Sequence, residues 1–187
     1  MVAEVRIYCE GHPALRPGFA QFFGELAQGL GRRPRFIAGG ATAVQDFQTA
    51  LRKHPQAMNL LLKDSEGPDD GTWFESLGIG PERKESVFWM VQCMESWFVA
   101  DPESLKRYYG QEFREKTIAG NPNVEDNPKR QVIDGLRDAT KGTPKGPYHK
   151  TKHAPHLLGL IRPERVKKAS PHCRRLFESV PRIARQT

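Results

Sequence analysis

The sequence contains few cysteines and no long hydrophobic run, and both deficits narrow the class of protein. Its three cysteines, Cys9, Cys93 and Cys173, are odd in number, widely separated and without a CxxC pair, so they predict neither a disulfide framework nor a zinc knuckle. No apolar run approaches the roughly 18 residues of a membrane span, and the N-terminal segment lacks the apolar core of a secretory leader. We therefore expect a reduced, cytoplasmic protein.

Acidic residues are scarce in the last quarter of the chain. From residue 141 onward, twelve lysines and arginines stand against two glutamates, which makes this part strongly basic. The overall formal charge is only +7, so the rest of the chain is slightly acidic. Such an asymmetry predicts a polyanionic partner. A solvated helical face that merely aids solubility is the alternative, and composition does not decide between them.

Alternating apolar segments and turn residues predict an α/β fold. Four short apolar segments are typical of strands: residues 2–9, 35–38, 58–63 and 86–91. Helical spacing of apolar residues lies between the first three of them, at residues 19–30 and 43–53. This order implies parallel strands with helices across the faces of the sheet. Further helices are predicted at residues 102–109, 132–140, 156–161, 163–169 and 171–180.

The length of 187 residues fits one compact unit with a single core. We expect an α/β core over residues 1–100 and a basic α-helical extension over residues 101–187, packed on that core.

Two of the predicted strands end in acidic residues. The third strand runs into Asp64 and Glu66, and the first strand runs into Glu10. The carboxyl ends of parallel strands lie at one edge of the sheet, where ligands bind in open α/β folds. Residues i and i+2 of a strand point the same way, so Asp64 and Glu66 should share a divalent cation with Glu10. By the same alternation, Lys63 should point to the opposite face and lie outside the site.

The acidic strand ends resemble the Toprim domain, in which a strand ending in Glu-Gly precedes a strand ending in Asp-x-Asp. The resemblance covers roughly residues 2–100. A closer resemblance, over nearly the whole chain, is to the domain-of-unknown-function family four-two-seven-six. It is carried by residues 7–11, 60–66, 90–98, 148–155 and 169–173. Both imply a Toprim-like (Rossmann-like), mostly parallel sheet of about four strands, here with an α-helical basic C-terminal part.

The similarity to Toprim nucleases of the OLD type implies metal-dependent hydrolysis of nucleic-acid phosphodiesters, with Mg²⁺ or Mn²⁺ as cofactor. Glu10 matches the Toprim glutamate, a metal ligand or general acid/base. Asp64 and Glu66 match the two metal-binding aspartates, with Glu66 departing from the usual Asp. Glu95, just after the fourth strand, is a further candidate metal ligand. Its alternative is a buried acid that caps the amides at a helix start.

A basic segment near residue 150 provides the other candidate residues. Lys150 and Lys152 are predicted to bind phosphate and to stabilise charge in the transition state, and His149 or His153 to transfer a proton. His149 and His153 also have the i, i+4 spacing of a zinc pair, but no third soft ligand is nearby in the sequence. The predicted contacts with nucleic acid, DNA in the first place, are Lys150, Lys152, Lys167, Lys168, Arg174 and Arg175.

The resemblance also implies a genetic setting. Similar families are often encoded beside ABC- or SMC-like ATPases, in mobile-element or anti-phage loci, so such an ATPase is an expected partner. One alternative to a nuclease is therefore a non-catalytic module that regulates or docks on the ATPase. Another is a phosphotransferase or small-nucleotide hydrolase with the same metal site, for which a basic tail is less needed.

Overall fold

A four-stranded, all-parallel β-sheet forms the centre of the protein in a computed structural model that describes residues 4–118 and 120–186. Its strands are β1 (Val5–Cys9), β2 (Arg35–Ala38), β3 (Met58–Asp64) and β4 (Val87–Met90). Their spatial order is β2-β1-β3-β4. The predicted α/β, Rossmann-like class is confirmed. The expected start of the first strand, at residues 2 and 3, lies outside the described residues.

Helices flank the sheet and form most of the second half of the chain. They are α1 (Arg16–Phe22), α2 (Gly24–Gly29), α3 (Ala43–Lys53), α4 (Glu95–Val99), α5 (Pro102–Tyr109), α6 (Lys129–Thr140), α7 (Lys150–Leu160), α8 (Pro163–Ala169) and α9 (Pro171–Gln186). The single helix predicted over residues 19–30 is broken at Phe23, whose ψ of 19° is not helical. Within the described ranges, no helix combines the length and the apolar character needed to cross a bilayer.

Each face of the sheet packs against its own hydrophobic cluster. Because successive strand residues point to opposite faces, Ile7 and Leu62 belong to one cluster, while Tyr8 and Leu61 belong to the other. The second cluster is completed by Phe47 of α3. Burial on both faces explains why β3 and β4 are continuous apolar runs in the sequence.

The larger cluster joins the two parts of the chain. It contains sheet residues such as Ile7 together with Leu105, Leu136 and Leu158 from α5, α6 and α7. The helices α1 and α7 approach each other closely: a Cβ at Gly18 would come within 2.7 Å of the Pro155 carbonyl oxygen. This contact holds the middle of α7 against the α/β core.

The start of α7 differs from the sequence prediction, which placed a loop before residue 156. The helix begins at Lys150 and includes Pro155. Pro155 is the sixth residue of the helix and has no amide proton to donate to the Thr151 carbonyl, so α7 lacks one backbone hydrogen bond there. The first turn is also held by the His153 side chain, whose Nδ1 accepts the His149 amide proton at 3.1 Å. Lys150 is therefore on a helix instead of a loop.

Candidate active site

Asp64 ends β3 and points into the larger hydrophobic cluster. The side chain is 5% exposed, and its Oδ1 accepts the amide proton of Met94 at 2.8 Å. Burial raises the pKa of this carboxyl to about 7, although the nearby Lys150 ammonium lowers it. Because burial destabilises the ionised form of this carboxyl, a further positive charge beside it would stabilise that form.

Glu95 begins α4 and lies beside Asp64 at the carboxyl end of β4. Its side chain is completely buried. One oxygen, Oε1, accepts the Tyr148 hydroxyl proton at 2.9 Å. The other, Oε2, has no hydrogen-bond partner among the described residues. Neither oxygen is bound by a backbone amide of the described residues, so the capping alternative does not explain the burial of Glu95.

Lys150 reaches both buried carboxylates from the start of α7. Its Nζ lies 3.5 Å from Glu95 Oε1 and 3.7 Å from Asp64 Oδ2, and its side chain is 48% exposed. Burial lowers the pKa of this ammonium, but the charges of Glu95 and Asp64 outweigh burial and raise it. The result is a carboxylate pair, defined here as Asp64 and Glu95, with one lysine between it and the solvent.

Glu10 lies on the other face of the sheet from Asp64. Cys9 is in register with Leu62, and the Glu10 amide donates to the Leu62 carbonyl at 3.0 Å. Glu10 therefore lies beside Lys63 and contacts its Nζ at 2.7 Å. Lys63 points away from Asp64, as predicted, and its ammonium pairs with the carboxylate of Glu10. Glu10 is still close enough to contribute to the raised pKa of Asp64.

Glu66 does not share the orientation of Asp64. The alternation expected of strand residues stops because β3 ends at Asp64, and Glu66 adopts a positive φ of 68°. Its carboxylate turns toward α6 and contacts the Lys129 ammonium. The i, i+2 spacing therefore fails to bring Asp64 and Glu66 together, because the rule holds only while the strand continues.

The four candidate metal ligands thus lie in three places. Asp64 and Glu95 lie together near Lys150, Glu10 lies beside Lys63, and Glu66 lies beside Lys129. Over residues 4–118 and 120–186, no group of three or more histidine, cysteine, aspartate or glutamate side chains is close enough to hold a metal ion. The carboxylate pair fits a hard divalent cation in ligand type and charge, and the partnerless Glu95 Oε2 offers a vacant donor. Two carboxylates are too few to surround a structural ion completely. They are enough for Mg²⁺, which keeps several of its waters when it binds to a protein.

The other residues of the basic segment do not contact the carboxylate pair in the described structure. His149 is exposed, with Nδ1 3.1 Å from the Thr151 hydroxyl, and Lys152 is exposed as well. His153 is buried, and its Nδ1 faces the Tyr109 hydroxyl at 3.1 Å. Burial lowers the pKa of His153, which favours a neutral imidazole. These positions give no support to a zinc pair.

The remaining predicted nucleic-acid contacts lie around α8 and α9. Lys167 binds Glu25 at 2.9 Å and lies over the Phe177 ring. Arg175 pairs with Glu85 at 3.5 Å. Two others line a cavity of about 480 Å³ between α2 and α9: Lys168 and Arg174. None of these four side chains contacts the carboxylate pair among the described residues.

An open groove lies beside the carboxyl ends of β3 and β4. It has a volume of about 720 Å³ and includes Glu66 and Gln92, which follow these strands. Its opposite wall is α6, with Lys129, Arg130 and Arg137. A groove of this size accommodates a small part of a polymer or a small molecule.

Sequence reasoning missed a second buried polar cluster at the start of α9. The Glu125 carboxylate accepts the Ser170 hydroxyl at 2.5 Å and the His172 amide at 2.8 Å, and its Oε2 lies 2.8 Å from His172 Nδ1. Burial raises the pKa of Glu125, but these hydrogen bonds outweigh it and lower the pKa. The Glu125 carbonyl also accepts the Gln92 side chain at 3.4 Å, which ties α9 to the segment after β4.

Fold and site together define a parallel α/β domain with a buried carboxylate pair and a lysine at the carboxyl end of its sheet. Residues 12–180 match the family described as a domain of unknown function, DUF4276. The chain belongs to that family, as its sequence blocks predicted. No curated protein and no solved structure matches the chain.

Proposed function

We propose that the protein hydrolyses phosphodiester bonds in nucleic acid, DNA in the first place, with Mg²⁺ or Mn²⁺ held by Asp64 and Glu95. The observation that carries the proposal is the fully buried Glu95 carboxylate with a partnerless Oε2. It lies next to a second buried carboxyl whose pKa is raised to about 7. Two buried acids in one place repel each other unless positive charge neutralises them.

Each residue of the site has a distinct part in this proposal. The bound cation would supply Lewis-acid charge and a water of lowered pKa. The Tyr148 hydroxyl fixes the orientation of Glu95, and the Met94 amide fixes Asp64. The Lys150 ammonium is partly exposed above both, where it can bind a phosphate oxygen and stabilise the charge that develops on it.

A distant relation to Toprim nucleases is part of the same proposal. It is supported by β1 and β3, which are parallel neighbours and are followed or ended by Glu10 and Asp64. We assign the ligand roles to Asp64 and Glu95, because Glu10 already contacts Lys63 and Glu66 already contacts Lys129.

A plasmid-nicking assay with Mg²⁺ and with Mn²⁺ tests the proposal. We expect nicking by the wild type and a loss of about a hundredfold or more in Asp64→Ala and Glu95→Gln, as for the loss of a main electrostatic contributor. Glu164→Gln is the matched control, since it removes an exposed acid of α8. Equal nicking by the wild type and both site variants would refute the proposed function.

The alternative is a non-catalytic module that docks on an ABC- or SMC-like ATPase. It is favoured by the two predicted ligands, Glu10 and Glu66, that are engaged by lysines. Two measurements separate the functions. Co-purification with such an ATPase, combined with no heat of Mn²⁺ binding in calorimetry, supports the docking module.

A further inference from the structure

We propose that Lys150 acts as an exchangeable internal cation, which neutralises the carboxylate pair when no metal is bound and leaves it when a divalent cation arrives. This inference rests on the metal site of the proposed function. It adds a competition between a side chain of the protein and the metal for the same two carboxylates. The released ammonium then becomes available to an anionic phosphate beside the metal.

The contacts of Lys150 are those of a loosely held ion pair. Its Nζ lies 3.5 Å from Glu95 Oε1 and 3.7 Å from Asp64 Oδ2. Charge-assisted hydrogen bonds between an ammonium and a carboxylate are shorter, about 2.7–2.9 Å. Lys150 is therefore attracted by both charges without being locked by a short hydrogen bond to either, and leaving costs it mainly Coulomb energy.

The difference in burial determines which partner moves when the metal binds. The side chains of Asp64 and Glu95 are 5% and 0% exposed, whereas that of Lys150 is 48% exposed. The carboxylates are anchored by the Met94 amide and the Tyr148 hydroxyl. The ammonium, on a flexible four-carbon chain, can return to water. When a divalent cation competes for this position, Lys150 is the partner that moves.

The backbone of Lys150 stays in place during the exchange. The first turn of α7 is held by the bond from the His149 amide to His153 Nδ1. Its middle packs on α1, where there is no space for a side chain at Gly18. The ammonium thus swings about a fixed helix start and remains near the site. Metal binding in this way places a positive charge where a substrate phosphate would lie.

Titration calorimetry with Mn²⁺ tests the competition directly. Lys150→Met removes the charge and keeps an unbranched side chain that is one atom shorter, so we expect Mn²⁺ to bind at least about tenfold more tightly than to the wild type. Lys152→Met is the matched control, because it removes the same charge from an exposed position of the same helix. It should leave the affinity within about twofold, since exposed charges are screened.

A second measurement needs no variant and so does not depend on how Lys150→Met folds. Reductive methylation of wild-type lysines, followed by mass spectrometry, should label Lys150 faster when Mn²⁺ is present. Lys152 should be labelled at the same rate with and without the metal. Labelling of Lys150 that does not change with bound Mn²⁺ would overturn the exchange.

The outcomes separate this inference from the proposed function. Mn²⁺ binding of equal strength to the wild type and Lys150→Met, or weaker binding to the variant, overturns the exchange and leaves the metal site standing. Binding of Mn²⁺ to Lys150→Met but not to the wild type also supports the exchange, because Lys150 then excludes the metal completely. No binding of Mn²⁺ to either protein overturns the metal site, and the exchange with it.

Discussion

Replacing Asp64 with Asn should stabilise the metal-free protein at alkaline pH while removing a metal ligand. Asp64 is nearly inaccessible to solvent, and burial raises its pKa from 3.8 to about 7. Asn has the shape of the protonated acid, and its Oδ1 can still accept the Met94 amide proton. The substitution therefore keeps the geometry and removes a charge that is costly to bury.

The sign and size of the effect follow from linkage between protonation and folding. Between pH 4 and 7 the folded state retains a proton on Asp64 that the unfolded state has lost, so stability falls as the pH rises. A shift of about three pKa units corresponds to about 4 kcal/mol. Because the Asn amide brings its own desolvation cost, we expect a net gain of about 2–3 kcal/mol at pH 8 and almost none at pH 4.

Urea unfolding in EDTA at pH 4, 6 and 8 measures this difference. Comparing Asp64→Asn with the wild type at each pH cancels the titration of other groups, such as His153. Asp126→Asn is the control, since it neutralises an exposed aspartate and should leave the pH dependence unchanged. A variant that is less stable than the wild type at pH 8, or that has the same pH slope, would refute the assignment of a strained carboxyl at Asp64.

Three further substitutions test other parts of the structure. Arg162→Met should lower the free energy of unfolding, measured in urea, by about 3 kcal/mol, because the Asp101 carboxylate is 0% exposed and loses the cation that binds it at 2.6 Å. A loss below about 1 kcal/mol, the value of a surface pair, would contradict this. Tyr148→Phe should cost about 1–3 kcal/mol in thermal unfolding, since it removes the hydroxyl that donates to the buried Glu95 Oε1 and leaves that oxygen only the Lys150 ammonium at 3.5 Å. An unchanged melting temperature would show that the hydroxyl is not bound there. Ser170→Ala should cost about 1–2 kcal/mol, because its hydroxyl accepts the first-turn amide of Cys173 in α9; unchanged urea stability would exclude that cap.

The sheet could be predicted because its determinants are local. β3 and β4 are buried on both faces, so they appear as continuous apolar runs between polar segments. The helix α3 has the predicted bounds because one face meets the core and the other meets solvent. The start of α7 could not be predicted in this way. Its first turn is polar in sequence and is held by the His153 side chain, while the middle of the helix packs on α1.

The site was predicted only in part, because it depends on distances along the chain that a local pattern does not contain. Alternation within a strand places Asp64 relative to Lys63, but it does not give the offset between neighbouring strands. That offset sets Glu10 beside Lys63 instead of Asp64. Tyr148 meets Glu95 across 53 residues, and no spacing in the sequence points to that contact.

The carboxylate pair is completed by the basic half of the chain, and this changes what the charge asymmetry means. Asp64 and Glu95 come from the strand ends of the α/β part, whereas Tyr148 and Lys150 come from the segment that begins α7. Without them, Glu95 would keep neither its hydroxyl partner nor its neutralising charge, and a buried pair of acids would be left unpaired. Lys150 of the basic part thus neutralises the two buried acids of the α/β part. Lys167 and Arg175 form ion pairs with glutamates elsewhere. If the proposed function is right, a phosphodiester bound at the carboxylate pair would contact Lys150 of the basic part.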